Sequence, residues 1–172
     1  MSNFHEDGII ILDFGSQYTQ LIARRIREKN VYSEIMSPDV SIEVIQERSP
    51  KAIILSGGPS SVYEDSSPKY DSKLFAMDIP ILGICYGLQL MAHHYNGQVK
   101  SSSHGEYGFA LINIMNSEHL FQSVSGNTQV WMSHMDRVTQ MPPGWEIMAE
   151  SSNGVVAAMG HVESKRFATQ FH

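Results

Sequence analysis

Blocks of apolar and polar residues alternate along roughly the first hundred positions of the chain. Continuous apolar runs are typical of strands covered on both faces, and here they predict strands at 8–14, 31–36, 51–56 and 79–84. The stretches that follow them are polar with spaced apolar positions, and predict helices at 16–29, 41–48, 68–77 and 88–95. Strand and helix in alternation imply a parallel sheet with helices on both faces.

The second half of the chain has a different pattern, with short strands separated by turn-rich links. The predicted strands are 106–114, 128–132, 145–150, 155–159 and 166–171. Links such as 142–144 and 151–154 are rich in Pro, Gly, Ser and Asn, which favour hairpins. We therefore predict one domain of the α/β class with three αβα layers. Its central sheet is mostly parallel with flanking helices, and its second half is antiparallel and rich in hairpins.

Charge and composition narrow the function classes. The formal net charge of −6 argues against nucleic acid or an anionic membrane surface as a partner. One cysteine excludes an internal disulfide, and the chain has neither a secretory signal nor an apolar run near the ~20 residues of a membrane span. We therefore expect a cytoplasmic location. Dinucleotide, P-loop and zinc-ligand motifs are absent from the sequence, so we expect no cofactor and no metal in this domain.

The single cysteine, Cys85, stands between a predicted strand and a predicted helix, with Gly83 and Gly87 two residues away on either side. This is the pattern of a nucleophile elbow, in which a sharp turn exposes the nucleophile and neighbouring side chains would clash. The start of the following helix would favour thiolate over thiol. The alternative is a buried structural cysteine on a parallel strand, which is the common fate of lone cysteines.

A cysteine nucleophile needs a base and an oxyanion hole. Of the eight histidines, His134 and His172 each follow a predicted strand, and both could stand at the carboxyl edge of a sheet. Spacing alone favours His172 only slightly. The Gly57-Gly58 turn after the third strand could direct backbone N–H groups at an oxyanion, together with the N–H of Tyr86, although an ordinary tight turn has the same sequence.

Four stretches of the sequence carry a resemblance to a known family. Residues 83–89 (GICYGLQ) resemble the nucleophile motif of class I glutamine amidotransferases, and residues 170–172 (QFH) resemble the start of that family's Q-F-H-P-E signature. Residues 11–25 and 130–138 are similar to the amidotransferase domains of the bacterial two-domain GMP synthetase family. The resemblance runs over essentially the whole chain.

The resemblance implies a role for each matching position. Cys85 would attack the side-chain amide of glutamine, giving a γ-glutamyl thioester and ammonia, and His172 would be the base. Gly58 and Tyr86 would supply the oxyanion N–H groups. The positions that would bind glutamine are Gly57, Gln89, Ser133, His134 and Asp136. Asp136 suits the α-ammonium group of glutamine because a carboxylate pairs well with a cation.

The sequence departs from the family pattern in two places. The family usually has S-H-G-D where this chain has Met135 in place of the glycine, which predicts a bulky side chain at the pocket rim. The chain also stops at His172, directly after a predicted strand. We therefore expect residues 1–172 to be a glutaminase domain truncated at its C-terminal end, weakly active or inactive by itself.

The resemblance also implies partners outside this chain. They are an ATP-pyrophosphatase (synthetase) domain of the same parent chain, with ATP and magnesium bound there, which would use the ammonia to convert XMP to GMP. The parent could be a homodimer. Three alternatives stay open at this point: a non-catalytic binding or regulatory module on the same scaffold, the amidotransferase component of another biosynthetic enzyme, and a thiol hydrolase of esters.

Overall fold

A computed structural model describes residues 7–124 and 126–172. The strands are β1 (Ile9–Leu12), β2 (Ser33–Met36), β3 (Ala52–Leu55), β4 (Ile81–Ile84), β5 (Gln98–Ile114), β6 (Asn127–Gln140), β7 (Glu146–Ser151), β8 (Val156–His161) and β9 (Arg166–Thr169). The α-helices are α1 (Thr19–Arg27), α2 (Ile42–Glu47) and α3 (Tyr86–His94). Short 3₁₀ helices span Ser72–Ala76 and His119–Phe121.

All these strands form one mixed sheet in the order β2-β1-β3-β4-β9-β8-β7-β5-β6. The pairs from β2 to β9 are parallel, and the pairs from β9 to β6 are antiparallel. The predicted α/β class, with flanking helices and an antiparallel second half, is confirmed. Strands β3 and β4 are neighbours, which brings the Gly57-Gly58 turn beside the cysteine.

Alternating side chains of the parallel strands bury both faces of the sheet. Ile10 and Leu12 of β1 belong to a core that includes Leu88 and Met91 of α3. Ile11, between them, packs in a second core with Ala23 of α1. Because successive side chains point to opposite faces, these short strands hold helices on both sides and form three layers.

Strands β5 and β6 are longer than predicted. The sequence indicated strands at 106–114 and 128–132, whereas the paired segments run from 98 to 114 and from 127 to 140. The extensions were not predicted because many of their residues are polar. Polar residues are tolerated there since β6 lies at the sheet edge with one face open to solvent. Residues 133–136 therefore lie inside a strand and not at its carboxyl end, which corrects the prediction.

The predicted helix at 68–77 is also wrong, since only Ser72–Ala76 is helical and it is a 3₁₀ turn. The carbonyl groups of Phe75 and Met77 accept hydrogen bonds from the buried Arg166 guanidinium at 3.0 and 2.7 Å. These two carbonyl groups thus bind Arg166 and do not accept from a further helical turn, and Met77 has extended backbone. None of the described helices is long and apolar enough to span a membrane.

Candidate active site

The turn from β4 to α3 forces Cys85 into an unusual backbone conformation, with φ 55° and ψ −105°. Positive φ is costly for non-glycine residues, and such strain concentrates at functional sites. A Cβ on Gly83 would lie 2.6 Å from the Gly87 carbonyl, and one on Gly87 would lie 2.6 Å from the Leu55 oxygen. The close approach of chain segments on both sides of the elbow therefore requires glycine at both positions.

The Cys85 sulfur is largely buried, at 8% residue exposure, and has three polar neighbours. The Gln170 side chain donates to Sγ at 3.6 Å, and the thiol faces the Ser133 carbonyl oxygen at 3.7 Å. Burial raises the pKa of Cys85, and hydrogen bonds from the Tyr86 N–H and the Gln170 amide oppose that rise without cancelling it. The N–H at the start of the helix therefore lowers the pKa of Cys85 as expected, but desolvation outweighs it and the net direction is upward.

His172 reaches the site from β9, the parallel neighbour of β4. Ile84 is paired with Thr169, and the Cys85 N–H donates to the Thr169 carbonyl at 2.7 Å, so the two chains leave the sheet side by side. The His172 ring packs on Tyr18, with ring centroids 4.6 Å apart. Partial desolvation lowers the pKa of His172, which favours the neutral imidazole that a base requires.

His134, the other candidate base, has both ring nitrogens engaged. Nε2 lies 2.9 Å from the Glu106 carboxylate, and Nδ1 lies 2.9 Å from the Asp136 carbonyl oxygen. The residue is only 6% exposed. In contrast, the His172 ring has no hydrogen-bond partner among residues 7–124 and 126–172. Of the two histidines that line the cavity, His172 is therefore the one whose ring nitrogens are not engaged by described residues.

The Gly57–Gly58 peptide beside the sulfur is held in one orientation. The Ser56 hydroxyl accepts from the Phe14 N–H and donates to the Gly57 carbonyl, both at 2.9 Å. Because C=O and N–H point in opposite directions across a trans peptide, this fixes the Gly58 N–H on the side away from Ser56. A Cβ on Gly58 would lie 2.2 Å from the Phe14 oxygen, so the turn is also sterically confined.

A cavity of about 580 Å³ opens over the cysteine. The predicted site residues that line it are Gly57, Gly58, Cys85, Gln89, Ser133, His134, Asp136 and His172. Tyr86 does not line it, but its N–H faces the sulfur. The structure therefore gathers in one place residues that the sequence separates by more than a hundred positions.

Of the residues predicted to contact glutamine, Gln89 is already hydrogen-bonded within the protein, whereas the Asp136 carboxylate has no ion-pair partner among the described residues. The Gln89 amide nitrogen is already used, donating to the Asp136 carbonyl at 3.0 Å and to Gln170 at 3.3 Å. The Asp136 carboxylate is half-buried and has no ion pair within the described part of the chain. It is thus available to a cation in the cavity. Met135 lies at the rim, 43% exposed, and its sulfur lies close to Gly105.

Sequence reasoning assigned no role to Ser56, Glu106 or Gln170, which are all buried near the cavity. Gln170 lies inside the QFH motif, and its position two residues before His172 is the signal that was available. Glu106 is a charged residue within β5, and its contact with His134 is seen only in the pairing of β5 with β6. Within residues 7–124 and 126–172, no cluster of three His, Cys, Asp or Glu side chains could hold a metal.

Together, the three-layer sheet, the strained cysteine between strand and helix and the histidine on the adjacent strand define an α/β protein of the nucleophile-elbow class. A sequence model of the family Glutamine amidotransferase class-I matches residues 10–172. The chain belongs to that family.

Curated relatives cover nearly all of this chain. It is 51% identical over 164 residues to GMP synthase [glutamine-hydrolyzing] of Campylobacter lari and 52% identical over 166 residues to that of Brachyspira hyodysenteriae. The matches cover 95% and 96% of this chain and 32% of each relative. The chain thus spans about a third of the length of the curated relatives it matches.

Solved structures show the same fold. A putative GMP synthase subunit from Thermoplasma acidophilum superimposes with a TM-score of 0.84 at 29% identity, covering 98% of this chain and 84% of that one. A glutamine amidotransferase from Thermotoga maritima gives 0.77 at 20% identity, covering 98% and 76%. The second likeness is evidence for the fold alone.

Proposed function

We propose that this chain is a glutaminase domain that hydrolyses glutamine to glutamate and ammonia. The observation that carries the proposal is a buried cysteine on a strained elbow, at the floor of a cavity that also holds His172 and the carboxylate of Asp136. Family membership agrees with this chemistry. A hydrolase of apolar esters would have no use for that carboxylate.

The first half of the reaction makes the thioester. The imidazole of His172 takes the thiol proton, and Cys85 Sγ attacks the side-chain amide carbon of glutamine. The oxygen of the tetrahedral intermediate carries negative charge, which the N–H groups of Gly58 and Tyr86 stabilise. The C–N bond then breaks, the protonated His172 gives its proton to the leaving nitrogen, and ammonia departs from a γ-glutamyl thioester.

Water completes the cycle. His172, neutral again, takes a proton from water as the oxygen attacks the thioester carbonyl, and the same N–H groups stabilise the second oxyanion. The C–S bond breaks, sulfur recovers its proton from His172, and glutamate leaves. Because burial raises the pKa of Cys85, the thiol needs a base to remove its proton, and His172 is that base on this proposal.

Glutamine is oriented by its amino-acid end. The Asp136 carboxylate binds the α-ammonium group, and charge-assisted hydrogen bonds of this kind are about twice as strong as neutral ones. Ser133 lies beside it on β6 and lines the same cavity, where its hydroxyl can donate to the substrate. Gln89 acts indirectly, since its amide holds the Asp136 main chain.

The parent protein we propose is a GMP synthase. The names of the curated relatives and their threefold greater length support a second domain that receives the ammonia. On this proposal the second domain binds ATP and magnesium and converts XMP to GMP. A homodimeric parent, a cytoplasmic location and truncation of the domain after His172 remain predictions from the sequence.

The test is a glutaminase assay of the full-length protein with two variants. Cys85→Ala removes the nucleophile and should abolish glutamate formation. Asp136→Asn keeps the side-chain shape but removes its charge, and should raise KM for glutamine about tenfold to a hundredfold, since hydrogen bonds to charged groups contribute about 1.5–3 kcal/mol. Glutamate formation that survives Cys85→Ala would overturn the proposal, and an unchanged KM in Asp136→Asn would remove Asp136 from the glutamine site.

A further inference from the structure

A buried acid–imidazole pair lies behind the cavity on the wall formed by β5 and β6. Glu106 and His134 occupy directly opposed positions on the two strands, after a bulge in which 102–105 face a single residue of β6. Opposed residues on antiparallel strands lie close enough for their side chains to meet. Here Glu106 Oε2 lies 2.9 Å from His134 Nε2, and the two residues are 8% and 6% exposed.

Hydrogen-bond partners hold both members of this pair in place. His134 Nδ1 faces the main-chain oxygen of Asp136, which can only accept, so Nδ1 carries a proton. The other Glu106 oxygen accepts from the Ser151 hydroxyl at 2.7 Å and the Asn153 amide at 2.9 Å. Hydrogen bonds from Ser151, Asn153 and His134 outweigh the opposing desolvation and lower the pKa of Glu106, so it is a carboxylate. Both ring nitrogens of His134 therefore lie against oxygen atoms, and the Glu106 carboxylate contacts three polar side chains.

The pair is continuous with the cavity wall. The Asp136 carbonyl that His134 holds also accepts from Gln89, and Gln89 donates to Gln170, which donates to the Cys85 sulfur. These hydrogen bonds connect β5, β6, α3 and the segment after β9 to the turn that holds Cys85. Movement of the imidazole would thus remove one of the two side-chain hydrogen bonds to the Asp136 carbonyl, and Asp136 lines the cavity.

Stability alone is a weak reason for burying such a pair. Burying a carboxylate carries a desolvation cost, and apolar replacements of buried polar pairs with similar volume are often neutral or stabilising. Fixing one conformation of a neighbouring segment is a better-supported consequence of a satisfied buried polar network.

We propose that Glu106 is a positioning residue for glutamine binding: it holds the His134 imidazole, which in turn holds the Asp136 segment in the geometry that binds the amino-acid end of the substrate. This rests on the proposed glutaminase function and deepens it. Glu106 does not line the cavity, so it touches neither glutamine nor the reacting atoms.

The test is the kinetics of glutamine hydrolysis by the full-length protein carrying Glu106→Leu. This variant should raise KM about tenfold, within the range of coupling energies for one hydrogen-bond network, while kcat changes less than about threefold. Glu106→Gln should stay within about threefold of wild type in KM. Its amide can accept from Ser151 and donate to a neutral His134, which still donates from Nδ1 to Asp136.

Two controls separate positioning from general damage. Met148→Ala opens a cavity in the buried core under β5 and β6 without touching the hydrogen-bonded series, and should lower the melting temperature with KM unchanged. Glu106→Leu combined with His134→Ala should show the KM of His134→Ala alone, because Glu106 acts through that ring. If Glu106→Leu does not fold, Glu106→Asp, whose shorter side chain cannot reach the imidazole, should give the raised KM.

An unchanged KM in folded Glu106→Leu (or in Glu106→Asp, if the Leu variant does not fold), or additive effects of Glu106→Leu and His134→Ala, would overturn the inference while leaving the glutaminase function intact. An increase in KM in Met148→Ala equal to that in Glu106→Leu would also overturn it. A wild-type protein that does not hydrolyse glutamine would instead overturn the proposed function, and this inference with it.

Discussion

At the scale of single residues, the proposed chemistry depends on the pKa of the Cys85 thiol, which its surroundings in the fold set. Burial raises the pKa of Cys85, whereas the Tyr86 N–H and the Gln170 amide lower it. The net direction for Cys85 is upward, and partial desolvation lowers the pKa of His172. On the proposed mechanism, the imidazole of His172 removes the thiol proton when the sulfur attacks the substrate.

Gln170 gives this description a direct test. Its amide donates to Cys85 Sγ and stabilises the thiolate, so Gln170→Leu should raise the pKa of Cys85 further. We expect the rate of alkylation by iodoacetamide to rise with pH through a midpoint above the usual thiol value, and the variant's midpoint to lie higher still. A midpoint that falls in Gln170→Leu would contradict the role given to the amide.

At this scale the sequence predicted which residues form the candidate site, but not their pKa values or hydrogen-bond partners. The glycines around Cys85 indicated the elbow, because close backbone approach demands residues without a Cβ. The pKa of the thiol could not be predicted, since the weight of burial against the helix terminus depends on packing. Spacing favoured His172 over His134 only slightly and the family resemblance implied His172, whereas the contact of His134 with Glu106 is seen only in the pairing of β5 with β6.

At the scale of elements, the strand that delivers His172 is anchored by a buried arginine. Arg166, the first residue of β9, is 3% exposed. Its guanidinium donates to four main-chain carbonyls and the Tyr95 hydroxyl. The carbonyls of Phe75, Met77 and Ile79 precede β4, so this one side chain ties the entrances of β4 and β9 together.

Arg166→Lys should therefore destabilise the protein by about 2–4 kcal/mol, because a single ammonium cannot satisfy carbonyls spread around a planar fork. Arg24→Lys is the matched control. Arg24 is in an exposed pair with Glu28, and its change should cost less than about 0.5 kcal/mol. Urea unfolding measures both; equal losses would show that the buried guanidinium is replaceable.

Elements were predicted well where the hydrophobic pattern was strong. Strands β1, β3 and β4 are continuous apolar runs, which only a sheet covered on both faces can bury. The extensions of β5 and β6 were missed because their residues are polar and their register includes a bulge. The 3₁₀ turn at Ser72–Ala76 was not predictable from local pattern. Its Phe75 carbonyl accepts a hydrogen bond from Arg166, which lies about ninety residues away in the sequence.

At the scale of the whole molecule, the sheet places every proposed catalytic group at one edge of its parallel half. The carboxyl ends of β3, β4 and β9 adjoin there, which is where open α/β sheets bind ligands. A second cavity of about 840 Å³, largely apolar, lies on the α1 face and shares His172 and Tyr18 with the first. The histidine thus borders both cavities.

On the proposed parent activity, ammonia is made here and used in another domain. Cys85→Ala in the full-length protein should abolish glutamine-dependent amination of XMP and leave amination driven by added ammonia within about twofold of wild type, since ammonia bypasses the nucleophile. Asp136→Asn should likewise spare the ammonia-driven rate. Equal loss of both activities in Cys85→Ala would mean that the cysteine supports the fold of the parent and not the chemistry.

The central claim is that Cys85 forms a covalent γ-glutamyl thioester, and peptide mass spectrometry after rapid acid quench tests it most directly. Full-length protein mixed with excess glutamine should carry a glutamyl adduct on the peptide containing Cys85, and Cys85→Ala should carry none. Glutamine turnover with no adduct on that peptide, or with an adduct on another residue, would contradict the account.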